Sequence, residues 1–170
     1  MKRDEPAITR ESGALRAVRG PFYRAVDPAY RDAALEGSRS AGRYSPPAVP
    51  TLYLSSSPEG VAAAMIAHAG DRTPNLKMLQ FEVEATRIVD LRDHEALISI
   101  GINPADAAAD WQGTVVAGGT PPSWRVREAL QRLGANGLID PSRKRPGLWH
   151  LTLFNWNTDG TPRVREVDTP

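Results

Sequence analysis

The sequence predicts an α+β fold in a single compact domain, and three observations lead there. At 170 residues, 41% of them hydrophobic, the chain is long enough to bury one core and too short for two ordinary domains. Short β-prone runs are scattered among helical patterns of unlike length, without the regular strand–helix alternation of a doubly wound sheet. The last third of the chain joins its β-prone runs by hairpin-scale links, and no internal repeat is present.

Residues 1–19 are charged throughout and are expected to form a weakly ordered arm, with the domain spanning 20–170 and ordered structure beginning at Pro21. Phe22 to Val26, FYRAV, alternates large side chains with a charged one and predicts a strand. The stretch DPAYRDAALEGSRSAGRYSPPAVP mixes turn signals with one short helical piece; a connection this long in a compact domain is a functional candidate. Thr51 to Ser56, TLYLSS, predicts a short strand that runs directly into SPEGVAAAMIAHAG. There Ser57 suits a cap, Pro58 the first turn and Glu59 the positive end, while Val61, Ala64, Met65 and His68 recur at helical spacing and Gly70 is a stop.

Leu76 to Leu91 alternates well enough for a long or bent strand with Leu79, Phe81 and Val83 inward. HEALISIG and NPADAAADW predict short helices, the second capped by Asn103, and QGTVVAGGTPP predicts a flexible connection. SWRVREALQRLGANG is the clearest helix, with Ser123 as cap, Val126, Leu130 and Leu133 on one face and Gly134 as stop. GLID and LWHLTLF predict strands, and TPRVREVD a last edge strand with arginines outward.

Composition excludes several function classes. Twenty-one basic and 20 acidic residues give a net charge of +1, so no global field draws nucleic acid or an anionic membrane, and an anion site has to be local. Cysteine is absent, which removes disulfides, thiol nucleophiles and cysteine-ligated metals. No apolar run resembles a secretion signal or approaches the ~20 residues of a membrane span, so a soluble cytoplasmic protein is expected. There is no phosphate-binding glycine loop, zinc-binding histidine pair or nucleophile elbow. His68, His94 and His150 lack ligand spacing, and surface or core-edge roles are expected for them.

What remains is a set of polar and aromatic residues in loops and at strand ends: Arg24, Arg43, Tyr44, Tyr53, Ser142 and Trp149. Two arginines from separate segments could clamp a diphosphate through planar, permanently charged forks, although arginines in loops are more often solvated. Tyr53 alternates with Leu52 and Leu54 and so faces away from them, either as a surface aromatic or as a pocket wall. Ser142 in DPSRKRPG is by default a turn serine. The cluster Arg143, Lys144 and Arg145 lacks interleaved aromatics and is expected to be a solvated loop.

The order YRAV, AGRY, LYLSSSPEG and GLIDPSR resembles the RES domain, a bacterial toxin family, over roughly residues 20 to 157. That resemblance implies an ADP-ribosyltransferase-like arrangement of mixed β-sheets flanked by short helices. It also implies a growth-inhibiting toxin that consumes NAD+ as co-substrate without a metal, by transferring ADP-ribose to a host protein or by hydrolysing or phosphorolysing NAD+. By the same resemblance Arg24 and Arg43 hold the diphosphate, Tyr53 stacks on nicotinamide or its ribose, and Ser142 bonds the amide or ribose. Arg43 and Tyr44 are then expected to hang over the cleft, with Arg24, Tyr53 and Ser142 as the catalytic set and Trp149 in the NAD+ site. A cognate antitoxin with a helix-turn-helix region is implied to cover the site, with no direct nucleic-acid or membrane partner. The glutamate of the family falls near Ala64 in this chain, which leaves Glu59, Glu82 or Glu84 as substitutes or points to a binding module without catalysis.

Overall fold

The structure, a computed structural model, describes residues 4–66 and 75–168. His68 and Gly70 lie outside the described residues. The fold is α+β, with one mixed seven-stranded sheet and short helices. Its spine is the antiparallel pair of β2 (Leu15–Val26) and β4 (Lys77–Asp90), registered from Leu15 opposite Val89 to Val26 opposite Lys77. Alternation sends Val18, Phe22 and Val26 of β2 and Leu79, Phe81 and Val83 of β4 to one side, where all are buried. Phe22 and Phe81 sit directly opposite each other with no exposed surface, and each contributes about 1.5–3 kcal/mol by leaving water.

The remaining strands are β1 (Ala7–Arg10), β3 (Leu52–Ser55), β5 (Gly137–Pro141), β6 (Trp149–Leu153) and β7 (Arg163–Val167). The sheet order is β1-β2-β3-β6-β5-β4-β7, and the added β2–β4 pairing makes five of these strands a closed circuit. Leu52, Leu54, Ile139, Leu151 and Leu153 complete the core that this circuit encloses. Among the described strands only β4 and β5 run parallel. They can do so because β4 changes neighbour: residues 80–84 pair with β7, residues 88–90 with β5, and Arg87 between them takes a positive φ of 60°.

A second core lies on the other side of the sheet. It joins Val89, Leu91 and Leu138 to the helices α2 (His94–Ser99), α3 (Pro104–Ala108) and α5 (Pro122–Arg132). Val126 and Leu130 of α5 are buried there as the spacing predicts, but Leu133 follows the helix and is 46% exposed. Ser123 is not the cap either; Pro121 holds that position, and the buried Ser123 hydroxyl donates to the carbonyl of Arg43. Asn103 caps α3 as expected. The stretch predicted as a flexible connection instead holds α4 (Trp111–Val116), because the Asp110 carboxylate accepts from the amide of Gly113 and starts a turn. Helix α1 (Pro58–Ile66) follows β3 with Glu59 in its first turn, and the Ser57 hydroxyl accepts from the amide of Gly60.

The N-terminal residues depart from expectation. Order begins before Pro21: β1 pairs with the first half of β2 from Ala7 opposite Arg19 to Arg10 opposite Arg16. Most of β1 is exposed, so it carries no apolar alternation by which the sequence could reveal it. Gly20 makes the join possible, since its φ is +139° and a Cβ there would stand 2.8 Å from Cα of Pro6. Gly137 is equally constrained in β5, where a Cβ would meet the Thr152 carbonyl oxygen at 2.3 Å. Gly137→Ala is expected to cost about 1–3 kcal/mol, read as a lower urea midpoint with unchanged slope.

Candidate functional site

Cross-strand register assembles a polar row at one end of the sheet. Tyr23 opposes Ser55, Ser55 opposes His150, and His150 opposes Asp140, so that four strands contribute one residue each. Here β3 and β5 end, β6 begins, and α1 starts three residues beyond Ser55. Ser55 Oγ and His150 Nδ1 are 2.9 Å apart. Burial lowers the His150 pKa; Asp140 pulls it up and Arg143 pushes it further down. At neutral pH the ring is an uncharged imidazole in contact with a hydroxyl, chemistry suited to accepting a proton.

The loop before β3 folds onto this row. Gly42 and Ser45 exchange backbone hydrogen bonds, making a tight turn that displays Arg43 and Tyr44. The Tyr53 hydroxyl lies 2.7 Å from Ser45 Oγ and accepts from the Tyr44 amide at 3.3 Å. Helix α5 supplies the clamps: the Trp124 indole donates to the Gly42 carbonyl at 2.8 Å, and Ser123 to that of Arg43. Arg127, only 3% exposed, donates to the Tyr44 carbonyl at 3.0 Å and to Thr51 Oγ1 at 2.5 Å, with its guanidinium 4.8 Å from the centre of the Phe154 ring.

Tyr44 does not hang over a cleft. It is 1% exposed and buried in the second core, where its hydroxyl donates to Asp140 Oδ1 at 2.7 Å. Burial, with the Asp140 charge adding to it, raises its pKa well above the usual phenol value, so it stays a proton donor. Burial likewise raises the pKa of Tyr53. Arg143, Lys144 and Arg145 are exposed, as expected of a solvated loop, and Arg143 in addition grips both oxygens of Asp140 at 2.7 and 3.1 Å.

The six predicted residues all lie on this end of the sheet or on the loop folded against it, but not on one face. Arg43, Tyr44 and Tyr53 gather on the side of the second core. Arg24 lies on the other face: it shares the alternation of Phe22 and Val26 and donates to the Ala34 carbonyl at 2.5 Å, with burial lowering its pKa. Trp149 packs edge-on against Phe22, ring centres 5.6 Å apart, with the Arg92 guanidinium 5.1 Å from its ring centre. The buried Ser142 is a turn residue whose hydroxyl accepts from the Arg145 amide at 3.2 Å. Of the alternative acids, Glu59 stands in the first turn of α1, whereas Glu82 and Glu84 lie on the outward face of β4, Glu84 paired with Arg19 at 3.1 Å. A surface groove of about 500 Å³ lies near Arg19, Tyr23, Gln80 and Glu82 and includes none of the six. No metal-binding cluster occurs among the described residues.

Sequence reasoning missed Ser55, Arg127, Asp140, Arg143 and His150. The acid closing the apolar run GLID was the available signal, since a carboxylate at the end of a buried strand needs a partner.

The family model described as the RES domain matches residues 21–170, from the middle of β2 through the whole polar end. The chain belongs to the RES domain family. Among solved structures, this RES domain is similar to one titled crystal structure of the M. tuberculosis MbcT-MbcA toxin-antitoxin complex. The TM-score is 0.56 at 22% identity, over 89% of this chain and 84% of that one, a likeness of fold. No curated protein matches the chain. No helix among the described residues is long and apolar enough to cross a membrane.

Two measurements probe this end of the RES domain. Tyr44→Phe leaves the ring in place but removes a buried hydrogen bond to a carboxylate, and should cost about 2 kcal/mol in urea unfolding. Because His150 has a folded pKa below its unfolded value, the unfolded chain binds the extra proton. Stability is therefore greatest above the ordinary histidine pKa and falls as pH drops from 7 to 5. His150→Gln should flatten that part of the Tm–pH curve.

Proposed function

We propose that this RES domain is the toxin of a toxin–antitoxin pair and that it uses NAD+ to ADP-ribosylate a host protein, so arresting growth in the cytoplasm. The observation that carries this reading is the family match, which takes in the polar end complete. The fold likeness to a structure titled as a toxin–antitoxin complex supports the expectation of a cognate antitoxin. That antitoxin, carrying a helix-turn-helix region, covers the end of the sheet where the site lies.

In this reading the dinucleotide lies across the strand ends, with Arg24 and Arg43 reaching it from opposite faces. Tyr53, Ser142 and the indole of Trp149 meet it between them, and Tyr44 acts from behind by holding Asp140. Transfer breaks the bond between ribose C1 and the nicotinamide nitrogen and forms a bond from C1 to the acceptor. The proton of the acceptor goes to a base, and the neutral His150 imidazole is suited to take it. Nicotinamide leaves as a neutral molecule, and no metal takes part. Ala64, in α1 where the family has its glutamate, favours a second reading, a binding module without catalysis.

The deciding experiment incubates the chain with NAD+ labelled in its adenylate half and a cell lysate. The expected result is one labelled protein band with release of nicotinamide, both abolished by Arg43→Ala. Free ADP-ribose without a band replaces transfer by hydrolysis, and a phosphorylated ADP-ribose formed only in phosphate buffer replaces it by phosphorolysis. If NAD+ is untouched and Arg43→Ala still arrests growth, the binding module stands instead.

A further inference from the structure

Three adjacent strands set Ser55, His150 and Asp140 in a line, a hydroxyl, an imidazole and a carboxylate in that order. Alternation puts all three on the side of Tyr53 and Leu138, away from the enclosed core of Leu54, Leu151 and Ile139.

The 2.9 Å contact between Ser55 Oγ and His150 Nδ1 can be shared in two ways, and one of them leaves nothing unmet. Were the ring to donate, the Ser55 hydroxyl hydrogen would have no acceptor among the described residues, on a residue only 5% exposed. With the hydroxyl donating, both atoms are satisfied. The ring then carries its proton on Nε2, and its basic nitrogen is the one that faces Oγ. Nε2 has no protein partner among the described residues, and since no described side chain buries an unpartnered polar atom, it reaches solvent. A hydroxyl whose hydrogen is aimed at a neutral imidazole is the couple by which a serine becomes a nucleophile. Burial keeps this imidazole neutral, while the Asp140 charge favours the imidazolium that forms when it takes the proton, against the opposing charge of Arg143.

The backbone presents the hydroxyl at a turn. Strand β3 ends at Ser55 and α1 begins at Pro58, and the amide and hydroxyl of Ser56 both donate to the Trp149 carbonyl, at 3.1 and 2.8 Å. Ser55 is thereby fixed at a strand-to-helix junction, the place from which α/β hydrolases present a serine, although the glycine signature of that motif is missing. Gly60 keeps the approach clear. A Cβ there would stand 3.2 Å from Ser55 Cβ and 3.6 Å from Oγ, so a side chain would occupy the space beside the hydroxyl.

We propose that Ser55 is a nucleophilic serine with His150 as its base, and that it takes the acyl group of carboxylic esters. Oγ bonds to the carbonyl carbon as its proton passes to Nδ1. The carbonyl re-forms, the ester oxygen leaves, and the departing alcohol takes the proton from Nδ1. Water then attacks the acyl carbon and gives a proton to Nδ1, which returns it to Oγ as the carboxylic acid is released. One ester and one water give one acid and one alcohol, without a cofactor. The assignment is independent of the dinucleotide reading given above.

The test treats the full chain with a fluorophosphonate, which a nucleophilic serine attacks at phosphorus with loss of fluoride, and locates the adduct by peptide mass spectrometry. A single adduct on Ser55 is expected, and the exposed Ser99, whose hydroxyl donates to the Ala96 carbonyl, should carry none. Ser55→Ala should take no label, and His150→Gln, which cannot accept the proton, should label about a hundredfold or more slowly. Gly60→Val should slow labelling by filling the approach. Circular dichroism establishes that each variant is folded, and mapping in the wild type needs no variant. With p-nitrophenyl acetate as the ester probe, a burst of p-nitrophenol equal to the protein present is expected. The nucleophile is overturned if wild type takes no adduct, if the adduct lies on another residue, or if His150→Gln labels at the wild-type rate. An adduct on Ser55 without the burst keeps the nucleophile and removes the ester as its substrate.

Discussion

The polar end of this RES domain depends on one carboxylate. Asp140 closes a buried strand, and its two oxygens are the point where a phenol from the 42–51 loop and a guanidinium from the 141–148 loop meet. A buried acid is tolerated only when its charge is matched and its lone pairs are occupied, and here both conditions are met by side chains from segments that would otherwise have no reason to touch. Through Arg143 the influence of Asp140 reaches the last turn of α3, and through Tyr44 it reaches the turn that carries Arg43.

Around that carboxylate, the closed β2-β3-β6-β5-β4 circuit sets positions to within a residue. A one-residue slip in β6 would turn His150 to the apolar side and Leu151 away from it, so the enclosed leucines and phenylalanines fix the polar row as firmly as any hydrogen bond in it. The site is polar because its neighbours on the same strands are not.

Much of this was legible in the chain, and the failures have physical causes. The apolar alternation of β4 and the capped starts of α1 and α3 are local properties, and local reasoning finds them. The first half of β2 was lost because Gly20 and Pro21 interrupt it with turn signals. In the structure, the glycine adopts a conformation open to it alone, and the proline still pairs opposite Glu82. Helix α4 was hidden by flanking glycines and prolines, although its capping Asp110 was in plain view. At the site, the arginine and tyrosines of the loop stood out as residue types. Their grouping did not, because the Tyr44–Asp140 contact joins positions 96 apart, and no periodicity carries information over that distance. For the same reason Arg24 and Arg43, linked only by resemblance, turned out to serve opposite faces.

Arg127 has a consequence of its own. Its cation is set among two backbone carbonyls, a hydroxyl, the Gln131 amide oxygen and the face of Phe154, with no carboxylate of the described residues bonded to it. Attachments made through acids let go when those acids take up protons, and histidine contacts change character near neutrality. A guanidinium set among neutral dipoles does neither, and being dry it is also shielded from salt. The attachment of the loop to α5 is thus indifferent to acidity and ionic strength, whereas the half-buried imidazole of His150 on the same end of the sheet gains its charge only in acid.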